Sequence, residues 1–497
     1  MNRIVQNIFN FCLSAISTYF IIFSLDKKKY RKTRLTLMIF ASIFYFLQFM
    51  SLVLITSDMN YVFLANLFDI TNYVIAFSTY RKYSLLLIFM SVVVGYILYK
   101  INTKFQIKNS LSKIVVLLIS FAYILSPFSF IVRFSKICYR TVHDSNGKKS
   151  HRELFRELTG TDYVERGKIK VKLPSRVKNL VIIEMESFEQ RFLDNFSENT
   201  KDIVAYSEEG EFYSDITMVE GSGWTIAGIH TFLCGSPLIY NLKDVALLKI
   251  VSISKLVCLP DILKRAGYHQ MYIGGERRTF SGKSQFFFSH GYDEVLGKKE
   301  LRKEYNLDKE NFSDWGIRDR EIFEIAKDKY RKLSQSKKPF SLMLSTLDAH
   351  SFDGGLRDDR CRNTTENKML NSIECTSDLV ADFISFLENE PNYEDTLVVI
   401  LPDHLAMGDF PSIGIGAGDS GRKLYVILLN SGARGRKAGA LLYSDVPSLI
   451  LKRMNLEHNA KFLLENHRNQ DQRERIKYID ENLDKIRLFN SRTLMHE

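Results

Sequence analysis

The sequence predicts two dissimilar parts: an N-terminal multi-span α-helical membrane domain, and then an α/β/α sandwich domain with a mostly parallel central sheet. Long apolar stretches that are almost free of charge are confined to the first 133 residues. The remainder is rich in charge, and short continuous apolar runs alternate there with amphipathic segments. Such runs are typical of strands buried on both faces of a parallel sheet. At 497 residues the chain is also long enough for two or more domains.

The membrane prediction depends on four apolar stretches, each near the roughly 17 to 25 residues that cross a hydrocarbon core. We expect these spans at about 4–25, 35–56, 83–99 and 114–132. The first stretch lacks a clear small-residue cleavage site and leads directly into a basic loop. We therefore expect it to be retained as an anchor rather than removed as a signal peptide.

The net charge of +11 indicates membrane topology rather than a nucleic-acid partner. Six basic residues lie in the loop at 26–34, and the segment at 100–113 has four lysines and no acid. Both segments are expected in the cytoplasm because basic loops stay on that side, which places everything after Val132 outside. The sequence has no recognised nucleic-acid-binding motif, so we expect no nucleic acid to bind.

Three further regions are expected after the spans. Residues 134–175 are basic and poor in apolar periodicity, which predicts a linker. Residues 176–455 carry the strand and helix patterns of a globular domain. The polar C-terminal tail at 456–497 lacks a long apolar face, which predicts a peripheral helix or disorder.

Strands and helices alternate in the predicted globular domain. Apolar runs predict strands, in chain order, at 179–188, 268–274, 340–347, 396–401 and 424–429. Amphipathic patterns and helix start signals predict helices at 226–233, 259–267, 317–333 and 378–389, with a further helix starting at 443–448.

Candidate site residues follow three of these strands. Glu186 lies at the end of the first strand, where parallel sheets bind their ligands. Glu184 shares its face, and the pattern leaves either carboxylate open as a metal ligand. Asp403 and His404 follow the fourth strand, and such a pair is costly to bury alone and suits a divalent cation. His350 follows the third strand, in a loop that contains aspartates and glycines.

A glycine-rich turn, Gly221 to Gly228, carries Thr225 just ahead of a predicted helix. Turns of this kind commonly cap helices, but the hydroxyl would be a nucleophile if a metal lowered its pKa. A second loop at 274–283 is polar and cationic, and is able to hold a phosphate through Lys283 or an arginine. Two carboxylates, a hydroxyl and an imidazole suit one divalent ion and transfer of a phosphoryl group.

Four cysteines lie in the globular domain: Cys234, Cys258, Cys361 and Cys375. Pairing each with its neighbour in sequence closes two short loops, each of which would stabilise the fold by about 3 kcal/mol in an oxidising compartment. The sequence alone does not decide the connectivity, and four reduced buried thiols are the alternative.

Four of these motifs together resemble one superfamily. They are Met185 to Phe188, the turn from Gly221 to Gly228, Leu347 to His350, and Pro402 to Met407. The combination resembles the sulfatase-like transferases of the alkaline phosphatase superfamily, which include lipoteichoic acid synthases and lipid A phosphoethanolamine transferases. The resemblance is fullest to the phosphoglycerol transferases that decorate periplasmic glucans. It covers residues 180–451, and a multi-span anchor ahead of the domain is also the family's layout.

The resemblance implies a role for each candidate residue. The metal ligands would be Glu186, Thr225, Asp403 and His404, with Thr225 also the nucleophile. His350 would contact the transferred phosphate or protonate a leaving group. The residues implied in substrate binding are Trp224, Phe280, Lys283 and His350. One divalent ion is implied, with manganese ranked first through the resemblance and magnesium or zinc as alternatives.

The reaction that the resemblance implies has phosphatidylglycerol as lipid donor and a glycan hydroxyl as acceptor. The protein would be a multi-pass protein of the bacterial inner membrane, with its globular domain in the periplasm. The alternatives are a phosphoethanolamine transferase, a sulfatase-like phosphodiesterase, and a membrane sensor or scaffold that retains the fold without turnover.

Overall fold

The chain forms two compact units, Met1–His143 and Asp144–Glu497. The computed structural model describes short stretches between positions 13 and 120 and, in the second unit, residues 149–239, 255–313, 315–350, 360–407, 413–415, 421–467 and 470–493.

The predicted membrane spans fall largely outside the described residues. The span at 83–99 lies wholly outside them, and the other three are described only in short pieces, such as the helical residues 13–19. Within the part of the chain that is described, no helix combines the length and the apolar character needed to cross a bilayer.

Most of the second unit is built around one eight-stranded sheet. Its strands are β2 (Asn179–Met185), β3 (Glu211–Ile216), β4 (His269–Gly274), β5 (Glu294–Leu296), β6 (Phe340–Ser345), β7 (Thr396–Pro402), β8 (Leu424–Leu429) and β9 (Gly435–Ala438). A separate antiparallel pair joins β1 (Val171–Lys172) to β10 (Glu457–His458). The order in the large sheet is β5-β4-β6-β2-β7-β8-β3-β9. All neighbours pair in parallel except those of β8, which is antiparallel to both β7 and β3. The mostly parallel sheet predicted from the sequence is thus confirmed.

Helices cover both faces of this sheet. The helices are α1 (His151–Thr159), α2 (Gln190–Asn195), α3 (Lys201–Glu209), α4 (Thr225–Cys234), α5 (Leu259–Arg265), α6 (Lys283–Ser289), α7 (Lys298–Tyr305), α8 (Asp319–Ser334), α9 (Lys368–Glu388), α10 (Val446–Arg453) and α11 (Gln472–Thr493). Val181 and Ile183 of β2 share a core cluster with apolar residues of α8 and α9. Helices α4, α5 and α10 pack against one another outside that cluster and cover the opposite face. Central strands such as β2 and β7 are continuous apolar runs because helices bury them on both sides.

The structure corrects the expectation of a linker at 134–175. Its described part begins with α1, whose N-cap Ser150 and third residue Glu153 bond reciprocally in a capping box. Leu154, Phe155 and Leu158 of this helix are buried. Three apolar side chains within two turns are too few to show as a long periodic pattern, yet they give one helix a buried face.

The same packing accounts for the C-terminal tail, which forms the 22-residue helix α11 against α1. Ile479, Ile486 and Phe489 of α11 are buried, and the Phe155 and Phe489 ring centroids are 5.6 Å apart. A bidentate ion pair of 2.7 Å joins Arg475 to Asp445 ahead of α10. A peripheral helix and disorder were the two alternatives expected for the tail. The tail is helical, but this helix packs within the domain and is not peripheral. Together with the half-buried Ile476 and Leu483, its three buried apolar residues recur at three- and four-residue spacing, an apolar face that sequence reasoning missed.

The predicted helix at 378–389 begins ten residues earlier, at Lys368. Its N-cap is Asn367, whose side-chain oxygen accepts a hydrogen bond from the backbone N–H of Leu370. The first turns of α9 mix polar and apolar residues that are nearly all buried, so the amphipathic pattern that marks its second half is absent there.

Replacing Phe489 tests whether the tail is part of the fold. Phe489→Ala should lower the free energy of unfolding by about 3–5 kcal/mol, because it removes a fully buried ring from between α1 and α11. Chemical denaturation of the purified chain measures this. Phe288→Ala is the matched control, since 46% of that side chain is exposed and its loss should cost little. Equal effects of the two substitutions would contradict the packing described.

Candidate active site

The pairing of β2 with β7 places the carboxyl ends of these two strands, and the polar residues that follow them, side by side. Glu184 aligns with Leu401 and Met185 with Pro402, so Glu186 and Asp403 are the next residues of adjacent parallel strands. The backbone N–H of Asp403 donates to the carbonyl of Met185 at 3.2 Å, which extends this pairing past the end of the sheet. Carboxylates that are 217 positions apart in sequence therefore meet at one sheet edge.

The structure distinguishes between the two carboxylates that the pattern left open. Glu186 meets Thr225 and His404: its Oε2 lies 3.2 Å from Thr225 Oγ1, and its Oε1 lies 3.4 Å from His404 Nε2. Glu184 instead accepts a hydrogen bond from Ser345 on β6. Burial raises the pKa of Glu184 well above its usual value, which disfavours the charged form that binds a cation. Glu186 is the candidate ligand of the two.

Asp403 and His404 are both fully buried and are oriented by the backbone around them. Asp403 Oδ1 accepts hydrogen bonds from the N–H groups of Ser187, at 2.9 Å, and His404, at 2.8 Å. His404 Nδ1 lies 2.8 Å from the carbonyl of Leu405, so this nitrogen carries the proton and donates it. The Nε2 lone pair of His404 is then directed at the cluster, as in most histidines that bind metals.

Thr225 is the first residue of α4, which brings it to the positive end of a ten-residue helix. The helix approaches the Asp403 backbone closely because it carries glycine at position 228. A Cβ at Gly228 would lie 2.0 Å from the Asp403 carbonyl oxygen, a distance that no side chain tolerates. The glycine-rich turn thus does more than cap a helix, since it seats Thr225 beside the two strand ends.

The donor set fits a divalent cation. One ligand atom each from Glu186, Asp403 and His404 lies within 4.8 Å of the others, and all three residues are buried. Asp403 Oδ2 and His404 Nε2 have no hydrogen-bond partner among the described residues, although they lie 3.1 Å apart. Burial and the charge of Glu186 raise the pKa of Asp403 to about 7. Carboxylate and imidazole atoms that are buried this close together indicate a site at which a cation takes the place of protons.

His350 lies next to this cluster but outside it. Burial and the nearby His404 lower its pKa to about 4, so the ring is neutral near pH 7. The indole of Trp315 lies against it, with ring centroids 4.0 Å apart. Trp315 was missed in the sequence because it lies in a loop with no recognisable motif, and only the tertiary contact with His350 gives it significance.

A family comparison agrees with this geometry. The sequence profile described as Sulfatase matches residues 178–436, slightly more than half of the chain. The chain belongs to the sulfatase family. The superfamily resemblance predicted from the four motifs is confirmed.

Relatives of this sulfatase-family chain include phosphoglycerol transferases. Phosphoglycerol transferase I of Escherichia coli (strain SMS-3-5 / SECEC) is 33% identical over 245 residues, which are 48% of this chain and 32% of the relative. The chain thus spans about a third of the length of the curated relatives that it matches.

Two solved structures are similar in fold. The integral membrane protein lipooligosaccharide phosphoethanolamine transferase A (EptA) from Neisseria meningitidis has a TM-score of 0.51 and 13% identity, covering 91% of this chain and 96% of that protein. The lipoteichoic acid synthase LtaP from Listeria monocytogenes has a TM-score of 0.45 and 13% identity, covering 63% of this chain and 80% of that protein.

Lys283 of this sulfatase domain is buried. The sequence predicts instead a loop residue that contacts the substrate. Lys283 Nζ donates to Glu276 Oε1 at 2.8 Å and to Tyr272 Oη at 3.0 Å. Burial opposes the charge, but Glu276 and Tyr272 raise the pKa of Lys283 well above its usual value. Tyr272 Oη also donates to Ser345 Oγ at 3.0 Å, which links the lysine to Glu184. Lys283 thus supports the floor of the site, and a direct substrate contact stays a prediction.

The other two residues implied in substrate binding are half-buried. Phe280 opens the short 3-10 turn Phe280–Gly282 immediately before α6. Trp224 is the extended N-cap residue of α4, adjacent to Thr225. Their roles stay predictions.

A buried ion pair holds the loop that carries Asp403 and His404. Arg422 Nε lies 2.9 Å from both carboxylate oxygens of Glu189. Glu189 Oε2 also accepts the backbone N–H of Ala406 at 3.0 Å. Breaking a buried pair of this kind leaves an uncompensated charge, so both residues position the metal loop. Sequence reasoning missed them because each is a single charged residue without a motif.

Asp319 holds the loop that leads to His350 in place through hydrogen bonds to its backbone. Its Oδ1 accepts the backbone N–H groups of Leu347, at 2.6 Å, and Asp348, at 3.2 Å, while Thr376 donates to its Oδ2 at 3.0 Å. Burial raises the pKa of Asp319 to about 6 in spite of these bonds. Asp319 is therefore a positioning residue for this side of the site.

Both disulfides expected from the spacing are present, joining Cys234 to Cys258 and Cys361 to Cys375. The first ties the end of α4, the helix that begins at Thr225, to the residue before α5. His290 lies near this bond, but both sulfurs are already used in it, so we assign no metal to that group.

Gly228→Ala tests the close approach of α4. The added methyl group must displace the Asp403 backbone, so stability should fall by about 1–3 kcal/mol and affinity for Mn²⁺ should fall with it. Thermal denaturation and titration with Mn²⁺ measure the two effects. Gly167→Ala is the control, because nothing lies within 4 Å of its added Cβ. Wild-type behaviour of Gly228→Ala would contradict the geometry.

Metal binding should strengthen as pH rises. The folded-state pKa of Asp403, about 7, exceeds its ordinary value of 3.8 because burial and the charge of Glu186 raise it. Burial alone would lower the pKa of His404, but the charges of Asp403 and Glu186 together raise it above its ordinary value. The metal-free fold therefore loses stability as pH rises towards 7, while a cation that replaces these protons restores it. We expect Mn²⁺ to raise the melting temperature more at about pH 7.5 than at about pH 5.5. Asp403→Asn should abolish the difference, and its persistence would contradict the site.

Proposed function

We propose that this chain is a membrane-anchored, metal-dependent transferase that moves a phosphoglycerol group from phosphatidylglycerol to a hydroxyl of a periplasmic or cell-surface glycan. The observation that carries the proposal is the position of Thr225. Its hydroxyl donates to Glu186 at 3.2 Å, at the N-terminus of α4 and beside Asp403 and His404. The 33% identity to Phosphoglycerol transferase I supports this choice of transferred group.

Four side chains would hold the cation: Glu186, Thr225, Asp403 and His404. A divalent ion bound there would lower the pKa of the Thr225 hydroxyl and polarise a phosphoryl oxygen. Carboxylate, alkoxide and imidazole donors are compatible with manganese, magnesium or zinc, and we rank manganese first.

In the first half-reaction, Thr225 Oγ1 attacks the phosphorus of phosphatidylglycerol. The Oγ1–P bond forms and the bond from phosphorus to the diacylglycerol oxygen breaks. The proton that Thr225 gives up is balanced by the proton that diacylglycerol gains. The backbone N–H groups at the start of α4 face the developing negative charge, and the helix dipole favours it.

In the second half-reaction, a glycan hydroxyl attacks the same phosphorus from the side that diacylglycerol left. The Oγ1–P bond breaks, the glycan receives glycerophosphate, and Thr225 recovers its proton. His350 is suited to the proton transfer because its low pKa leaves the ring neutral near pH 7. It therefore accepts the hydroxyl proton first and only then serves as an acid.

A membrane anchor fits a lipid donor. The four apolar stretches at 4–25, 35–56, 83–99 and 114–132 would supply it, with the basic loops inside and the Thr225 domain in the periplasm. The fold likeness to an integral membrane phosphoethanolamine transferase, which extends over 91% of this chain, supports a multi-pass protein of the inner membrane.

That same likeness favours a second candidate, transfer of phosphoethanolamine through the same threonine. Both reactions use the chemistry of Thr225 and its neighbours and differ in the group that is left on the nucleophile. The mass of the covalent intermediate therefore separates them.

Mass spectrometry of Thr225 tests the proposal. After incubation of the Mn²⁺-loaded chain with phosphatidylglycerol, a peptide containing Thr225 should carry one glycerophosphoryl group, and phosphatidylethanolamine should leave none. Thr225→Ala should lower transfer by at least about a thousandfold. The control is Thr231→Ala in the same helix, whose buried hydroxyl bonds the Ala227 carbonyl and should not carry an adduct. Unchanged transfer by Thr225→Ala would end the nucleophile assignment, and an ethanolamine adduct would establish the second candidate.

A further inference from the structure

A basic cavity is lined by Arg277 and Arg278, which belong to the cationic loop at 274–283, and by residues of helix α7. It has a volume of about 860 Å³, between the loop after β4 and helix α7. Six of its lining residues are basic and one, Glu300, is acidic. The basic residues are Arg277, Arg278, Lys298, Lys299, Arg302 and Lys303.

Much of this positive charge is not neutralised by the protein. Glu300 pairs with Arg278, with Nε to Oε1 at 3.2 Å. Among the described residues, no carboxylate lies within ion-pair distance of Arg277, Lys299 or Lys303. Clustered like charges repel one another, so the arrangement is destabilising unless an anion offsets it.

The walls of the cavity are firmly built. The backbone N–H of Lys298 donates to the Glu276 carbonyl at 2.7 Å. A Cβ at Gly297 would lie 2.4 Å from the backbone nitrogen of Arg278, so the two chain segments are in close contact. Lys298 Nζ lies 4.9 Å from the centroid of the Phe312 ring, and the Arg302 guanidinium lies 5.6 Å from it. Cation–π contacts of this kind hold two of the cations in place before any ligand arrives.

The loop that forms one wall also borders the active site. The Gly275 carbonyl accepts the backbone N–H of Ile317 at 2.9 Å, and a Cβ at Gly316 would lie 2.2 Å from it. The neighbouring Trp315 lies against His350. Glu276, the next residue, sends its carboxylate to the buried Lys283. The same loop therefore contributes to the floor of the site through Glu276 and to the basic cavity through Arg277 and Arg278.

We propose that this cavity binds a phosphodiester group already present on the glycan acceptor. The inference depends on the proposed function, because each phosphoglycerol transfer adds one negative charge to the acceptor. Arginine and lysine are the natural partners of such phosphates. A partly modified glycan would then bind better than an unmodified one, and the enzyme would add several groups to the same molecule.

The shape and lining of the cavity favour this occupant over a membrane surface. The site is concave, and Leu307 is the apolar side chain in a lining that is otherwise polar or charged. Surfaces that dock on bilayers add apolar side chains that enter the headgroup region. An unmodified neutral glycan would leave the charges of Arg277, Lys299 and Lys303 uncompensated.

Equilibrium binding tests the proposal without turnover. The full chain carrying Thr225→Ala, in nanodiscs of neutral lipid, is titrated calorimetrically with a linear glucose oligosaccharide and with the same oligosaccharide bearing one phosphoglycerol group. The modified form should bind at least about tenfold more tightly, and added salt should reduce this preference. The combined substitution R277Q/K299Q/K303Q should abolish it.

The control R434Q/R473Q/K477Q removes the same charge from exposed positions outside the cavity and should keep the preference. Failure of the modified form to bind, equal affinity for both forms, or a preference that survives in R277Q/K299Q/K303Q would overturn the proposal. Protection of the α7 amides from hydrogen exchange by anionic nanodiscs, and not by the modified oligosaccharide, would show a membrane contact instead. Absence of an adduct on wild-type Thr225 would remove the proposed function, an outcome independent of this binding equilibrium.

Discussion

The parallel pairing of β2 with β7 is the constraint on which the site depends. It places Glu186 and Asp403 at adjacent strand ends, where both are buried, and burial of two carboxylates so close together is unfavourable unless protons or a cation are shared between them. The pKa of Asp403 is raised because burial and the charge of Glu186 both disfavour its ionised form. Thr225 joins the group because α4 lies against the Asp403 backbone at Gly228, so one glycine decides whether the hydroxyl reaches the carboxylates.

A second layer of buried polar residues holds this arrangement in place. Glu189 and Arg422 fix the loop after β7, and Asp319 fixes the loop after β6. Beneath the site, Lys283 connects Glu276 to the hydroxyl of Tyr272. Each of these groups is costly to bury alone but is satisfied by its partners, and a site supported in this way keeps its geometry when a substrate binds. Such support explains why so many charged residues lie inside the domain.

The domain also extends further along the chain than its central motifs. Helix α1 precedes the sheet and α11 follows it, and each covers apolar residues of the other. A disulfide ties the end of α4 to the start of α5 on the same face of the sheet as α10. The helix that begins with Thr225 is thus held at its far end by a covalent bond and at its near end by the Asp403 backbone.

The sequence by itself indicated the parallel α/β architecture, because continuous apolar strands followed by polar residues are a local pattern. Its four motifs indicated the family through their resemblance, and they grouped Thr225, Asp403 and His404 with a carboxylate at the end of the first strand. The sequence also indicated both disulfides through their short spacing. Only the tertiary structure decided between Glu184 and Glu186, because both are glutamates on the same face of one strand. Glu184 contacts Ser345, whereas Glu186 contacts His404. The burial of Lys283, the contact of Trp315 with His350, and the basic cavity beside α7 likewise arise from segments that are distant in sequence, so no local pattern predicts them.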